Sequence, residues 1–265
     1  MTGLQIVILA IVQGLTEFLP ISSSGHLVLV PYLVNWTDQG LAFDVAVHAG
    51  SLVAVCAFFR GDIHGLLRGA AQVLGGNMRL PQANMALAIG IGTVPAAIAG
   101  LLFASWIEAN LRDPLVVMYT LSGYGILMAL ADRFGKSERV IAGIGIKDAV
   151  IIGCAQALSL VPGTSRSGVT ITAARVLGFK RQDAARFSFL LSAPVILLAM
   201  LFKGFELIAG DEAVPWGQLA LGAAVSAIVA YLSIEFFMRF VSRIGLAPFA
   251  IYRLALAAVI LYVLV

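Results

Sequence analysis

The chain has 265 residues, of which 60% are hydrophobic and 12% charged, far below the roughly 25% charged content of a soluble domain. With a mean hydropathy of +0.99, it reads as one integral membrane domain spanning residues 1–265. No polar block is long enough to form a soluble unit, and a net charge of +3, held largely in loops, does not point to a nucleic-acid partner.

The first apolar run, Leu4–Val12, has no Lys or Arg before it and no small-residue cleavage site, so it does not read as a signal peptide; it belongs to a longer apolar segment, Leu4–Leu19. That segment stops at Pro20 and a Ser22-Ser23-Ser24-Gly25 cluster. Six later stretches are apolar enough for a bilayer, which needs about 20 residues: Leu41–Phe59, Met85–Trp106, Leu115–Leu130, Phe187–Phe202, Trp216–Phe237 and Pro248–Val265. Between the third and fourth lies Lys147–Val161, which again stops at a proline, Pro162, and a Gly/Ser/Thr cluster. A spanning helix does not end this way in lipid. A re-entrant hairpin lined by protein does, because its irregular backbone faces a cavity. The expected architecture is therefore all-α and polytopic, with six transmembrane helices and two re-entrant hairpins. Cys56 and Cys154 lie in apolar runs and read as small core residues. Trp106, Trp216 and Tyr252, near span ends, fit an aromatic belt.

Loop charge sets the orientation. Arg60, Arg68 and Arg79 follow the first span, Arg133, Lys136, Arg139 and Lys147 the third, and Arg239 and Arg243 the fifth; Lys180, Arg181 and Arg186 precede the fourth. The remaining loops are net acidic, with Glu108, Arg112 and Asp113, and then Lys203, Glu206, Asp211 and Glu212. Six spans and two returning hairpins put all the basic loops on one face, which the positive-inside rule makes cytoplasmic, with both termini outside. The hairpins also match each other. Gln13, Ser22, Ser24 and Gly25 share one offset with Gln156, Ser165, Ser167 and Gly168. Entered from opposite sides, they form an inverted-topology repeat, about residues 1–132 and about 145–265.

The two tips carry the chemistry. Pro162-Gly-Thr-Ser-Arg-Ser-Gly-Val-Thr170 offers hydroxyls, a helix N-terminus and the forked donor of Arg166, a set suited to phosphate oxygens. The alternative is a polar helix break with Arg166 paired to a buried carboxylate. No Gly-Lys-Ser/Thr is present, so a nucleotide-binding P-loop is not indicated. The first tip adds Glu17, with Gln13 one helical turn earlier, and the serines and His26: a carboxylate, hydroxyl and imidazole fit for metal binding, general acid/base work and nucleophilic attack. Their structural alternatives are a counter-charge for Arg166, a helix cap and backbone satisfaction. Asp44 and His48, at i, i+4, are a further candidate ligand pair. Arg253 either snorkels or pairs with a buried acid such as Glu235.

Gln13-Gly-Leu-Thr-Glu17-Phe-Leu-Pro-Ile-Ser-Ser-Ser-Gly-His26, Pro162 to Thr170 and the closing Pro248-Phe-Ala-Ile-Tyr-Arg253 together resemble the bacterial undecaprenyl-diphosphatase, or bacitracin-resistance, family over nearly the whole chain. The resemblance implies an inner-membrane hydrolase that converts undecaprenyl diphosphate to the monophosphate and phosphate. It would recycle the lipid carrier for cell-wall polymers, remove the target of bacitracin, and face its site to the periplasm or outside. It implies dependence on a divalent cation, Mg²⁺ or Ca²⁺, at Glu17 and Gln13. It implies catalytic roles for Glu17, Ser23, His26 and Arg166, and substrate-binding roles for Gln13, Ser22, Gly163, Ser165, Ser167 and Thr170. Some relatives carry Glu at the Gln13 position, so this chain has one carboxylate fewer for such a cation site. On this reading the anion meeting Arg166 is the substrate diphosphate. Undecaprenyl diphosphate and membrane lipid are the expected partners, and a homodimer is among the assemblies open to the chain. The competing class is a transporter or flippase for a lipid phosphate or small anion, since inverted repeats with broken helices are typical of transporters.

Overall fold

A computed structural model describes residues 1–34, 36–37, 39–77, 80–209 and 215–264. Arg79, Asp211 and Glu212, and the side chain of Glu206, all named in the loop-charge pattern, lie outside the described residues. The described residues form eleven α-helices and no strand. In order they are α1 (Gly3–Phe18), α2 (Ser23–Leu33), α3 (Gly40–Phe58), α4 (Arg60–Leu74), α5 (Pro81–Asn110), α6 (Pro114–Phe134), α7 (Ile146–Ala157), α8 (Arg166–Val176), α9 (Arg181–Ala209), α10 (Trp216–Ile244) and α11 (Ala247–Leu264).

Local chemistry sets the boundaries. A capping box between Thr2 and Gln5 opens α1. Proline at the first position opens α5 and α6, where its missing N–H costs nothing; Asp113 also accepts the Leu115 N–H at 2.7 Å. Five helices, α3, α5, α6, α9 and α10, are long and apolar enough to cross a membrane. The sixth expected span falls on α11, which stands with α1 among the shorter apolar helices. One element, α4, was not foreseen. It follows α3 through the stretch read as a loop carrying Arg60 and Arg68.

Packing places the broken helices inside. α10 lies across α3 and α1, α7 lies on α5, and α11 on α6. The α3–α10 contact is close enough that a Cβ on Gly50 would sit 2.1 Å from the Ala223 carbonyl oxygen, a small-residue contact of the kind that holds helices together in lipid. A run of aromatic rings crosses the core, Phe18 to Phe189 at 5.3 Å, Phe189 to Phe237 at 5.6 Å and Phe237 to Phe249 at 5.3 Å. It puts a rigid floor under the end of α1.

Ion pairs tie the ends of α6, α7, α8 and α9. Asp132 accepts from Arg181 through both oxygens, at 2.7 and 3.0 Å, and from the Leu246 N–H at 2.9 Å. The buried Arg175 stands 3.3 Å from the same carboxylate. Arg139 grips Asp148 bidentately, at 2.6 and 2.9 Å. Several of the arginines expected to mark the membrane face therefore also hold the helices together.

Candidate active site

The two breaks meet in the interior. α1 stops at Phe18, Leu19 turns extended ahead of Pro20, and α2 restarts with Ser22 as its N-cap at φ 76°. α7 runs through a 3₁₀ turn, Leu158–Leu160, to Pro162, and α8 restarts with Ser165 as N-cap at φ 71°. Each serine hydroxyl accepts from the glycine N–H three residues on, Gly25 at 3.3 Å and Gly168 at 3.1 Å. Among the described residues these are the only non-glycine positions with positive φ. Such backbone costs on the order of 1–3 kcal/mol and persists only where its surroundings hold it.

What holds it is largely Arg253. This arginine is fully buried and donates to five main-chain carbonyls in three segments. Nη1 reaches Pro20 in the first break at 3.4 Å; Nη2 reaches Gly163 at 3.0 Å and Thr164 at 3.1 Å in the second, and Thr120 at 3.2 Å; Nε reaches Leu121 at 3.1 Å. The sequence reading had it snorkelling or pairing with Glu235. The fold instead surrounds it with three carbonyls from the breaks, Pro20, Gly163 and Thr164, and two from the flank of α6, Thr120 and Leu121, and its five-donor fork matches them. Ser167 adds a direct link, donating to the Leu19 carbonyl at 3.1 Å. Gly163, at φ +86°, presses so closely on α6 that a Cβ would lie 2.1 Å from Thr120 Oγ1.

Glu17 is the centre of the arrangement. Only 7% of its side chain is exposed. Oε1 accepts from Arg166 Nη2 at 2.9 Å; Oε2 accepts from Ser23 Oγ at 2.7 Å and from Gln13 Nε2 at 3.0 Å. Arg166 also donates through Nη1 to the Ser188 carbonyl at 3.2 Å and lies 5.6 Å from the Phe18 ring centroid. The anion that meets Arg166 in this structure is thus Glu17, and a bound diphosphate has to share or displace that contact. Gln13 is fully buried, and its Oε1 has no hydrogen-bond partner.

Of the residues expected at the site, Gln13, Glu17, Ser23 and Arg166 come together. Ser22, Ser165 and Ser167 spend their hydroxyls on caps and on the break-to-break link. Thr170 Oγ1 lies 2.8 Å from the Arg166 carbonyl and 2.6 Å from Ser188 Oγ, supporting the loop from behind. His26 turns toward α11: Nδ1 lies 2.7 Å from the Ser22 carbonyl, Nε2 lies 2.7 Å from the Tyr252 hydroxyl, and the two rings stack. The imidazole that approaches Glu17 is His48, with Nε2 3.7 Å from Oε2. Its Nδ1 is tied to the main-chain carbonyl of Asp44 at 2.7 Å, while the Asp44 carboxylate accepts from Gln39 at 2.9 Å. The i, i+4 spacing had flagged His48, but nothing local to it pointed to Glu17. Tyr252 lies in the closing Pro248–Arg253 motif but reads there as an interfacial aromatic, and Ser188 lies in an apolar span with no motif to mark it. A cavity of about 220 Å³, lined in part by Ser24, Asp44, His48, Glu108, Arg112 and Pro162, opens beside this cluster. Among the described residues, no three His, Cys, Asp or Glu side chains gather as a cation site.

A family model described as bacitracin resistance protein BacA matches residues 6–259. Undecaprenyl-diphosphatase 2 of Stutzerimonas stutzeri (strain A1501) is 51% identical, over 97% of this chain and 97% of its own. Undecaprenyl-diphosphatase of Hahella chejuensis (strain KCTC 2396) is 52% identical over the same shares, and that of Alcanivorax borkumensis is 49% identical over 99% of both chains.

Proposed function

The chain belongs to the bacitracin resistance protein BacA family, and we propose that it is a membrane phosphatase hydrolysing undecaprenyl diphosphate to undecaprenyl phosphate and inorganic phosphate. That activity returns the lipid carrier to cell-wall synthesis and removes the diphosphate that bacitracin binds. The observation that carries the reading is the Ser23 hydroxyl, 2.7 Å from a carboxylate whose other oxygen is held by Arg166.

In this mechanism Glu17 orients Ser23 and takes its proton as Oγ attacks the terminal phosphorus. The bond between that phosphorus and the bridging oxygen breaks, and undecaprenyl phosphate leaves as the anion. Water then attacks the phosphoserine, Ser23 regains a proton, and phosphate departs. Arg166 meets the charge spread over the transferred phosphoryl oxygens. Ser22, Gly163, Ser165, Ser167 and Thr170 shape the phosphate pocket through the backbone they hold. His26, with its ring nitrogens on the Ser22 carbonyl and the Tyr252 hydroxyl, ties the first break to α11 and takes no proton in these steps.

The residues fit a divalent cation. Glu17 offers a carboxylate oxygen and Gln13 a buried amide oxygen without a partner, both hard ligands, and Mg²⁺ characteristically keeps most of its remaining positions for water and phosphate. When bound, the cation neutralises diphosphate oxygens.

The finer architecture belongs to the same proposal: six spans counting α11, two re-entrant hairpins (α1–α2 and α7–α8), both termini outside, and a site open to the periplasm of the inner membrane. The matched caps at Ser22 and Ser165, and the pairing of α1 with α10 as of α7 with α5, favour an inverted repeat. Such symmetry also suits a flippase, but moving a lipid phosphate does not call for a serine hydrogen-bonded to a buried carboxylate. Purified protein given a long-chain prenyl diphosphate and Mg²⁺ is expected to release phosphate. Folded protein that binds the lipid without releasing phosphate would favour the transport reading.

A further inference from the structure

His48 has no place in the mechanism above, yet its imidazole stands 3.7 Å from the Glu17 carboxylate. Its ring orientation is fixed. A main-chain carbonyl can only accept, so the Asp44 contact at 2.7 Å puts the hydrogen on Nδ1. In the neutral ring Nε2 is then the free ligand atom, and it lies 3.7 Å from Glu17 Oε2. A histidine whose second nitrogen donates to a backbone carbonyl is the usual arrangement of a metal-bound imidazole. The spacing suits it too, since two ligands each about 2.1 Å from one ion lie no more than about 4.2 Å apart.

Gln13 supplies an independent observation. Its Nε2 is 3.0 Å from the same Glu17 oxygen, and its Oε1 is buried without a partner. Half a turn of the amide exchanges the two ends and brings a carbonyl oxygen to where the donor now sits. His48 is one-third exposed and lines the cavity of about 220 Å³, which gives an ion and the oxygens of a diphosphate access from that side.

We propose that His48 Nε2, Glu17 Oε2 and Gln13 Oε1 together hold the divalent cation, His48 standing in for the carboxylate this chain lacks at position 13. The inference rests on the phosphatase reading for its purpose but not for its test. A nitrogen ligand also shifts preference from Ca²⁺ toward Mn²⁺ and similar ions.

The experiment uses purified full-length protein loaded with Mn²⁺ alone and pulsed electron paramagnetic resonance. Wild type is expected to show ¹⁴N modulation from a directly bound imidazole. His26→Gln retains the modulation, while His48→Gln loses it and binds Mn²⁺ about tenfold or more weakly. His48→Asn serves if the glutamine variant does not fold. Bound Mn²⁺ without ¹⁴N modulation in wild type, modulation that survives loss of His48, or no Mn²⁺ binding at all would overturn the proposal. Phosphate release is measured on the same wild-type preparation. Activity without nitrogen ligation sinks this inference alone, and nitrogen ligation without activity sinks only the phosphatase reading.

Discussion

Glu17 and Arg166 are 149 residues apart in the chain and 2.9 Å apart in the fold. Each sits at the end or start of a helix that breaks inside the protein. The pair brings the acid of one break to the base of the other, where a hydroxyl, an amide and an imidazole already converge. Removing either partner leaves a buried charge alone, which costs about 3–5 kcal/mol. Glu17→Gln and Arg166→Met are each expected to lower thermal stability in detergent by more than the double variant does. Additive losses would mean the two do not depend on each other.

The catalytic part of Arg166 is separable from that stability. Arg166→Lys keeps a charge beside Glu17 but loses the fork that meets phosphoryl oxygens. It is expected to stay folded while kcat/KM falls about 10²–10³-fold, the effect of losing one transition-state contact worth roughly 2–4 kcal/mol. Turnover near wild type would place Arg166 outside the reacting centre.

Ser23 is a nucleophile in this account. Protein quenched during turnover of a terminally ³²P-labelled substrate is expected to carry label on wild type and none on Ser23→Ala, with activity lost in the variant. Full activity in Ser23→Ala would remove the residue from the chemistry.

Arg253 is a brace. Arg253→Met strands the three break carbonyls, Pro20, Gly163 and Thr164, each worth about 1–3 kcal/mol when left unsatisfied. Local relaxation recovers part of that sum, so the expected result is a fall in melting temperature large enough to compromise folding. Arg253→Lys is expected to rescue little, because one ammonium cannot reach three segments. A melting temperature within a degree or two of wild type would contradict this role.

Much of this was legible in the sequence. The spans show as apolar runs, and the breaks show because Pro20 and Pro162 with their serine clusters sit where lipid tolerates no loop. Glu17, Ser23 and Arg166 stand out because polar groups are costly at that depth. The carbonyl cage of Arg253, the stacking of Tyr252 on His26 and the approach of His48 to Glu17 were not legible. Each joins segments whose relative placement follows from helix packing, which no local spacing encodes. α4 was hidden for another reason: its many polar and glycine residues look like loop when read for membrane spans.

The most direct test of the account is phosphate release from undecaprenyl diphosphate by the purified protein with a divalent cation, compared with Ser23→Ala and Glu17→Gln. The account predicts turnover by wild type, its loss in both variants, and its loss in wild type once the cation is chelated. Folded wild-type protein that releases no phosphate, or variants that turn over like wild type, would contradict it.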